Sequence, residues 1–147
     1  MDRRKFLQAT AAAATVSCSA PKTGWRFLSQ EEAETLSTIC EQIIPADQSP
    51  GARWAGVVRY IDRQLTGAFR MHQRTYRDGL AAARRLAGPD LAAALSRDKK
   101  LRPFFELVLA HTMQGFYGDP RHGGNRDYVS WRMLGVPTSP VRGRVAP

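Results

Sequence analysis

The sequence predicts an all-α fold: a single small irregular helical domain that closes in a glycine- and aromatic-rich C-terminal loop region. Three observations predict it. Apolar residues recur at helical spacing in successive stretches punctuated by proline and glycine. No stretch of useful length alternates apolar and polar residues as a half-buried strand would. No internal repeat or low-complexity block interrupts the pattern. With 147 residues, 43% hydrophobic and 24% charged, the chain has the composition of one globular domain. A chain of this size buries roughly two-thirds of its unfolded surface, so it needs neither a disulfide nor a metal to fold.

The first helix is predicted to begin at Ser29. Ser29-Gln30-Glu31-Glu32 is a capping-box pattern, in which the serine accepts from the third helical amide and Glu32 reaches back to the cap. Ala33, Leu36, Ile39, Cys40, Ile43 and Ile44 follow at helical spacing, and Pro45 ends the run. After the turn formers of Pro45 to Gly51, a second helix places Trp54, Val57, Val58, Ile61 and Leu65 on one stripe. Arg59, Asp62 and Arg63 fall on the opposite, wet side. A third helix is expected from about Phe69 to Ala87, with Phe69, Tyr76, Leu80, Ala83 and Leu86 inward. Its arginines 70, 74, 77, 84 and 85 face water or a partner. Gly88-Pro89 closes it, and a short Ala/Leu helix runs from Leu91 to Ser96. Pro103 suits a first helical turn. The run Phe104 to Met113 behind it is apolar on nearly all sides, which predicts the central buried helix.

Beyond Met113 the composition changes to glycine, proline and large aromatics, the signature of an irregular but packed segment. Gly123-Gly124-Asn125 supplies positions able to take positive φ or to approach another backbone closely. Tyr117, Tyr128 and Trp131 combine apolar bodies with polar tips, a composition favoured at interfaces.

The formal charge is +9, yet the basic residues are mostly arginines scattered along the chain, the densest groups being Arg84-Arg85 and Lys99-Lys100-Leu101-Arg102. No aromatic platform accompanies them, so the charge reads as a solvated basic surface rather than a nucleic-acid site.

The N-terminus reads as an address. Met1-Asp2-Arg3-Arg4-Lys5-Phe6-Leu7 followed by the small residues Ala9 to Ala20 has the charged head and short, weakly apolar stretch of a targeting peptide. Arg3 and Arg4, one spacer, then Phe6 and Leu7 resemble the twin-arginine export signal, which implies a periplasmic destination. Thr15-Val16-Ser17-Cys18 resembles a lipobox, making Cys18 a candidate for lipidation and membrane attachment, although its Thr is off pattern. Cleavage after Ala20 is the competing reading. Cys18 and Cys40 are the only cysteines, and Cys40 falls on the apolar face of the first helix as a small hydrophobe. The domain boundaries are then 1–20 for the signal, 21–28 for a linker, 29–137 for the helical domain and 138–147 for a tail.

Phe116-Tyr117-Gly118-Asp119-Pro120, His122-Gly123-Gly124-Asn125, Ser130-Trp131 and Leu134-Gly135-Val136-Pro137 are similar to the closing signature of the gluconate 2-dehydrogenase subunit 3 family. Leu36 to Ile44 with Pro45-Ala46-Asp47, Pro50-Gly51-Ala52 and Val57 through Tyr60-Ile61-Asp62 resembles its opening. The family often ends its signature in Gly-Phe-Pro-Gly, where this chain has Gly135-Val136-Pro137-Thr138. The resemblance implies a non-catalytic small subunit bound to a large FAD-containing oxidoreductase of the glucose–methanol–choline type. It also implies a multihaem cytochrome c as a frequent third subunit. On that picture this chain holds no cofactor, supplies export through the twin-arginine translocase, and stabilises the flavoprotein. Contact with the partner is expected from Tyr117, Asp119, Pro120, His122, Gly123, Gly124, Asn125, Tyr128 and Trp131.

Independent chemistry has little in the sequence to carry it. His72, His111 and His122 form no pair at metal-ligand spacing, and no serine sits in a Gly-x-Ser-x-Gly elbow. His111, on an apolar helix, reads as a hydrogen-bonded core residue, and His122 as a structural or interface contact. A small independent enzyme and a free-standing periplasmic ligand-binding domain are the alternative readings.

Overall fold

The computed structural model describes residues 24–138; Arg3, Arg4, Phe6, Leu7 and Cys18 lie outside the described residues. Among the described residues there are six α-helices and no strand, as the sequence predicts. They are α1 (Gln30–Ile43), α2 (Val57–Leu65), α3 (Gln73–Leu86), α4 (Leu91–Arg97), α5 (Arg102–Tyr117) and α6 (Val129–Met133). The long α5 packs against α1 to α4 on one side and meets α6 at its C-terminal end.

The capping box that starts α1 is present. Ser29 accepts the Glu32 amide at 3.2 Å, and Glu32 accepts the Ser29 amide at 2.8 Å. Leu36, Ile39 and Cys40 are fully buried on its inner face. The α1–α3 contact carries charge as well as apolar surface: Arg84 pairs with Glu31 at 2.6 Å and Arg77 pairs with Glu32.

The second helix differs from expectation in two ways. It starts at Val57 rather than near Trp54, because Gly56 adopts a left-handed conformation (φ 75°) and breaks the register. Trp54 is thereby turned out to 43% exposure beneath the Arg126 guanidinium. Asp62, expected among the wet residues, is buried at 3% exposure. Its carboxylate accepts the backbone amides of Arg26 at 2.7 Å and of Phe27 and Leu28, both at 2.9 Å. The segment leading into α1 lies on α2 with no strand to pair with, and a carboxylate supplies the acceptors its amides require.

The third helix begins at Gln73 after a 3₁₀ turn over Arg70–His72. Tyr76, Leu80 and Ala83 are buried as predicted, but Leu86, at its C-terminal end, is 45% exposed. The α3–α5 crossing is close. An added Cβ on Gly79 would stand 2.3 Å from the Phe104 ring, so only glycine leaves room for that side chain.

The α5 helix carries Pro103 in its first turn, as expected, and runs four residues past Met113. It is not buried on all sides. Phe104, Val108, His111, Thr112, Gly115 and Phe116 face the core, whereas Leu109, Met113 and Tyr117 are exposed at 38%, 42% and 39%. Among the described residues the neighbouring helices cover one flank of α5 and leave the other wet, whatever side chains that flank carries.

Candidate functional site

The segment behind α5 is built around buried glycine and asparagine. Gly118 ends the helix, and Asp119 caps a 3₁₀ turn over Pro120–His122 by accepting the Arg121 amide at 2.9 Å. The Arg121 guanidinium also donates to that carboxylate, and these hydrogen bonds hold the Asp119 carboxyl down to about 2. Arg63 on α2 donates to the Arg121 carbonyl at 3.0 Å, tying the turn to the helical body.

Gly123 takes φ 106°, and Gly124 lies against α5 so closely that a Cβ there would stand 2.1 Å from the Gly115 carbonyl oxygen. Asn125 is fully buried with φ 45°. Its side chain donates to the Gly118 carbonyl at 2.9 Å and accepts the Ser130 amide at 3.0 Å, joining both ends of the loop. The expected positive φ and close backbone approach at Gly-Gly-Asn are therefore both present. Asp127 and Tyr128 are left-handed too, at φ 51° and 58°, a conformation L side chains adopt rarely. The turn this makes feeds α6, from which the Trp131 indole donates to the Tyr117 carbonyl at 2.9 Å and lies 5.6 Å from the Tyr128 ring.

These contacts sort the nine residues expected at the partner surface. Tyr117, His122 and Tyr128 are exposed; Asp119, Pro120, Gly123 and Trp131 are half-buried. Gly124 and Asn125 are buried in the isolated chain. Their backbone demands shape the loop. Sequence reasoning missed Leu109 and Met113, which with Phe105 and Tyr117 form a ridge at i, i+4 spacing along α5. That spacing stands in the sequence, but a run apolar on nearly all sides does not show which side stays uncovered. Met133 and Leu134, at 49% and 63% exposure, add apolar surface at the C-terminal end of α6.

A second cluster lies inside the core. The His111 ring stacks on Phe69 with centroids 3.9 Å apart, and its Nδ1 is 2.8 Å from the Tyr76 hydroxyl. His111 is thus the hydrogen-bonded core residue the sequence suggests. Burial, with a smaller contribution from the charge of His72, pushes its imidazole down to about 4. Cys40 is fully buried, accepts from the Thr112 hydroxyl at 3.2 Å, and has its thiol pushed up to about 12 by burial, which leaves it inert. Among the described residues no three His, Cys, Asp or Glu side chains converge as metal ligands.

His111 gives the fold a pH dependence of definite sign. Above about pH 6.5 the imidazole is neutral in both states and stability is complete. Between about 6.5 and 4 the unfolded chain takes up a proton that the fold refuses, so stability falls by at most about 3 kcal/mol. Thermal melts from pH 7.5 to 4 should show this decline, and His111→Gln, which does not titrate, should flatten it. An unchanged slope in the variant would assign the decline to other groups.

A sequence model of the family described as gluconate 2-dehydrogenase subunit 3 matches residues 30–96 and 87–137, well over half of the chain. The chain belongs to the gluconate 2-dehydrogenase subunit 3 family. No curated protein and no solved structure matches it. The first matched segment takes in α1 to α3 and nearly all of α4; the second takes in α5, the Gly-Gly-Asn loop and α6. The exposed ridge and the loop cluster of this subunit 3 family member thus lie inside the region that defines the family.

Proposed function

We propose that this chain is the non-catalytic small subunit of a gluconate 2-dehydrogenase-type complex. It docks on a glucose–methanol–choline-type large subunit that carries FAD and oxidises the substrate. A membrane-attached cytochrome c receives the electrons. The chain's twin-arginine head takes the pair, already folded, to the periplasm, and contact with the small subunit stabilises the flavoprotein. The observation that carries this reading is the family match through both halves of the helical domain.

The ridge on α5 supports the docking part. Leu109, Met113 and Tyr117 present a strip of exposed apolar side chains on a rigid helix, and Trp131 joins its end to the loop cluster. Apolar and aromatic groups held on a regular element suit the buried centre of a stable interface. Tyr117→Ala should leave melting of the isolated subunit within about 1 kcal/mol and weaken co-purification with the flavoprotein by roughly 2 kcal/mol. Trp131→Ala should cost fold stability as well, since its indole is bound to α5. Undiminished binding per folded molecule in both variants would remove the ridge from the interface.

Export is tested separately. With Arg3 and Arg4 both changed to Lys, this subunit and its flavoprotein should remain in the cytoplasm. Arrival of the flavoprotein in the periplasm of that strain would end the co-export reading.

A further inference from the structure

A second surface, whose lining does not include Leu109, Met113 or Tyr117, gathers more positive charge than its own acids offset. Two cavities, of about 180 and 270 Å³, flank Trp25 and share Arg59 as a wall. Arg53 and Arg126 line the first, and Arg26 and Arg63 the second. None of these five arginines has a carboxylate within ion-pair distance among the described residues, whereas Arg74, Arg77, Arg84 and Arg121 each have one.

The two acids in the trough do not balance it. Glu34 lines the first cavity and accepts from Gln30 at 2.8 Å. Asp62 lines the second, where its carboxylate accepts three backbone amides; these two carboxylates offset the five arginines only in part. The guanidinium groups are held in place nonetheless: Arg59 lies 5.6 Å from the Trp25 ring centroid and Arg126 lies 5.8 Å from that of Trp54. An aromatic face fixes a guanidinium without cancelling its charge and leaves its N–H fork free.

We infer that this trough receives a carboxylate-bearing polypeptide segment of a partner protein. Arginine rather than lysine lines it throughout, and the planar fork matches a carboxylate in two parallel hydrogen bonds. Tryptophan and arginine are the residues that dominate binding energy at protein interfaces. The recessed shape favours an inserted acidic side chain over a flat layer of lipid headgroups. Bringing five like charges together costs energy in the free chain, and an acidic segment removes that cost on binding.

The probe is a fluorescein-labelled hexaglutamate peptide, titrated with the purified full chain and followed by anisotropy. Binding should weaken at least about ten-fold in the Arg59→Ala/Arg126→Ala double variant. It should also weaken when salt is raised from about 0.05 to about 0.5 M. Arg84→Ala/Arg85→Ala, which removes the same charge elsewhere, should bind as the unaltered chain does, and so should Tyr117→Ala, which separates this surface from the α5 ridge. If the double alanine variant unfolds, Arg59→Lys keeps the charge without the fork and should still weaken binding several-fold. Equal losses in the two arginine doubles, or no binding at all, would overturn the proposal. So would binding to phosphatidylglycerol vesicles with none to the peptide, which would make the trough a membrane contact.

Discussion

Asp62→Ala should destabilise the domain by about 3 kcal/mol and release the segment that leads into α1. The carboxylate is 3% exposed and serves three amides, those of Arg26, Phe27 and Leu28. A hydrogen bond to a charged acceptor contributes about 1.5–3 kcal/mol, but the three do not simply add, because the freed segment can lift off and meet water. Detachment sets the upper limit. Hydrogen exchange at the amides of residues 26–28 should accelerate far more than exchange in α3 or α5. Asp62→Asn retains one carbonyl oxygen for Phe27 and Leu28 but turns an NH₂ toward the Arg26 amide, so its loss should be intermediate. Unchanged melting and unchanged exchange in Asp62→Ala would show that the segment is held by Leu28 and its apolar contacts alone. The segment also carries Trp25, so this variant should weaken hexaglutamate binding at the arginine trough together with the fold.

Gly124→Ala should cost about 3 kcal/mol or more, although it adds a single methyl group. The added carbon would stand 2.1 Å from the Gly115 carbonyl oxygen, and both partners in the clash are backbone. Gly115 cannot retreat, because it is itself pressed against Tyr60, whose ring atom would lie 2.8 Å from a Cβ placed there. The loop must therefore move as a whole. That movement pulls Asn125 away from Gly118 and Ser130 and shifts Trp131 from the end of α5. The expected result is a lowered melting temperature, altered tryptophan fluorescence, and, on the proposed function, reduced co-purification with the proposed flavoprotein partner even at temperatures where the variant is folded. A variant with unaltered melting would mean that the loop has room the close approach denies.

Local and periodic features were legible without the structure. The capping box at Ser29, the stops at Pro45 and Gly88-Pro89, and Pro103 in the first turn of α5 each depend on atoms within a few residues of one another. Helical periodicity identified the core faces of α1 and α3, since a side chain's angular position on a helix follows from its number alone. The Gly123-Gly124-Asn125 cluster announced itself because few residues tolerate the conformations it adopts. The family resemblance, carried by those turn residues and the flanking aromatics, agrees with the match over both halves of the domain.

Tertiary structure alone decided which apolar faces are covered and which polar groups are not wet. The α5 run, apolar on nearly all sides, reads as the central buried helix, because periodicity reports what a face is made of and not whether a neighbour reaches it; Leu109, Met113 and Tyr117 are left exposed. Asp62 sits where the helix pattern puts a solvated acid, yet three amides some 35 positions earlier in the chain claim it. Trp54 looked like a core residue until the left-handed Gly56 turned it outward. Arg59 and Arg126 are far apart in sequence and ordinary singly, and only the fold brings them to one trough. Spacing along a chain fixes geometry over a few residues, where backbone stereochemistry rules. Burial, charge convergence and interface shape depend on contacts between distant segments, and those are set when the helices pack.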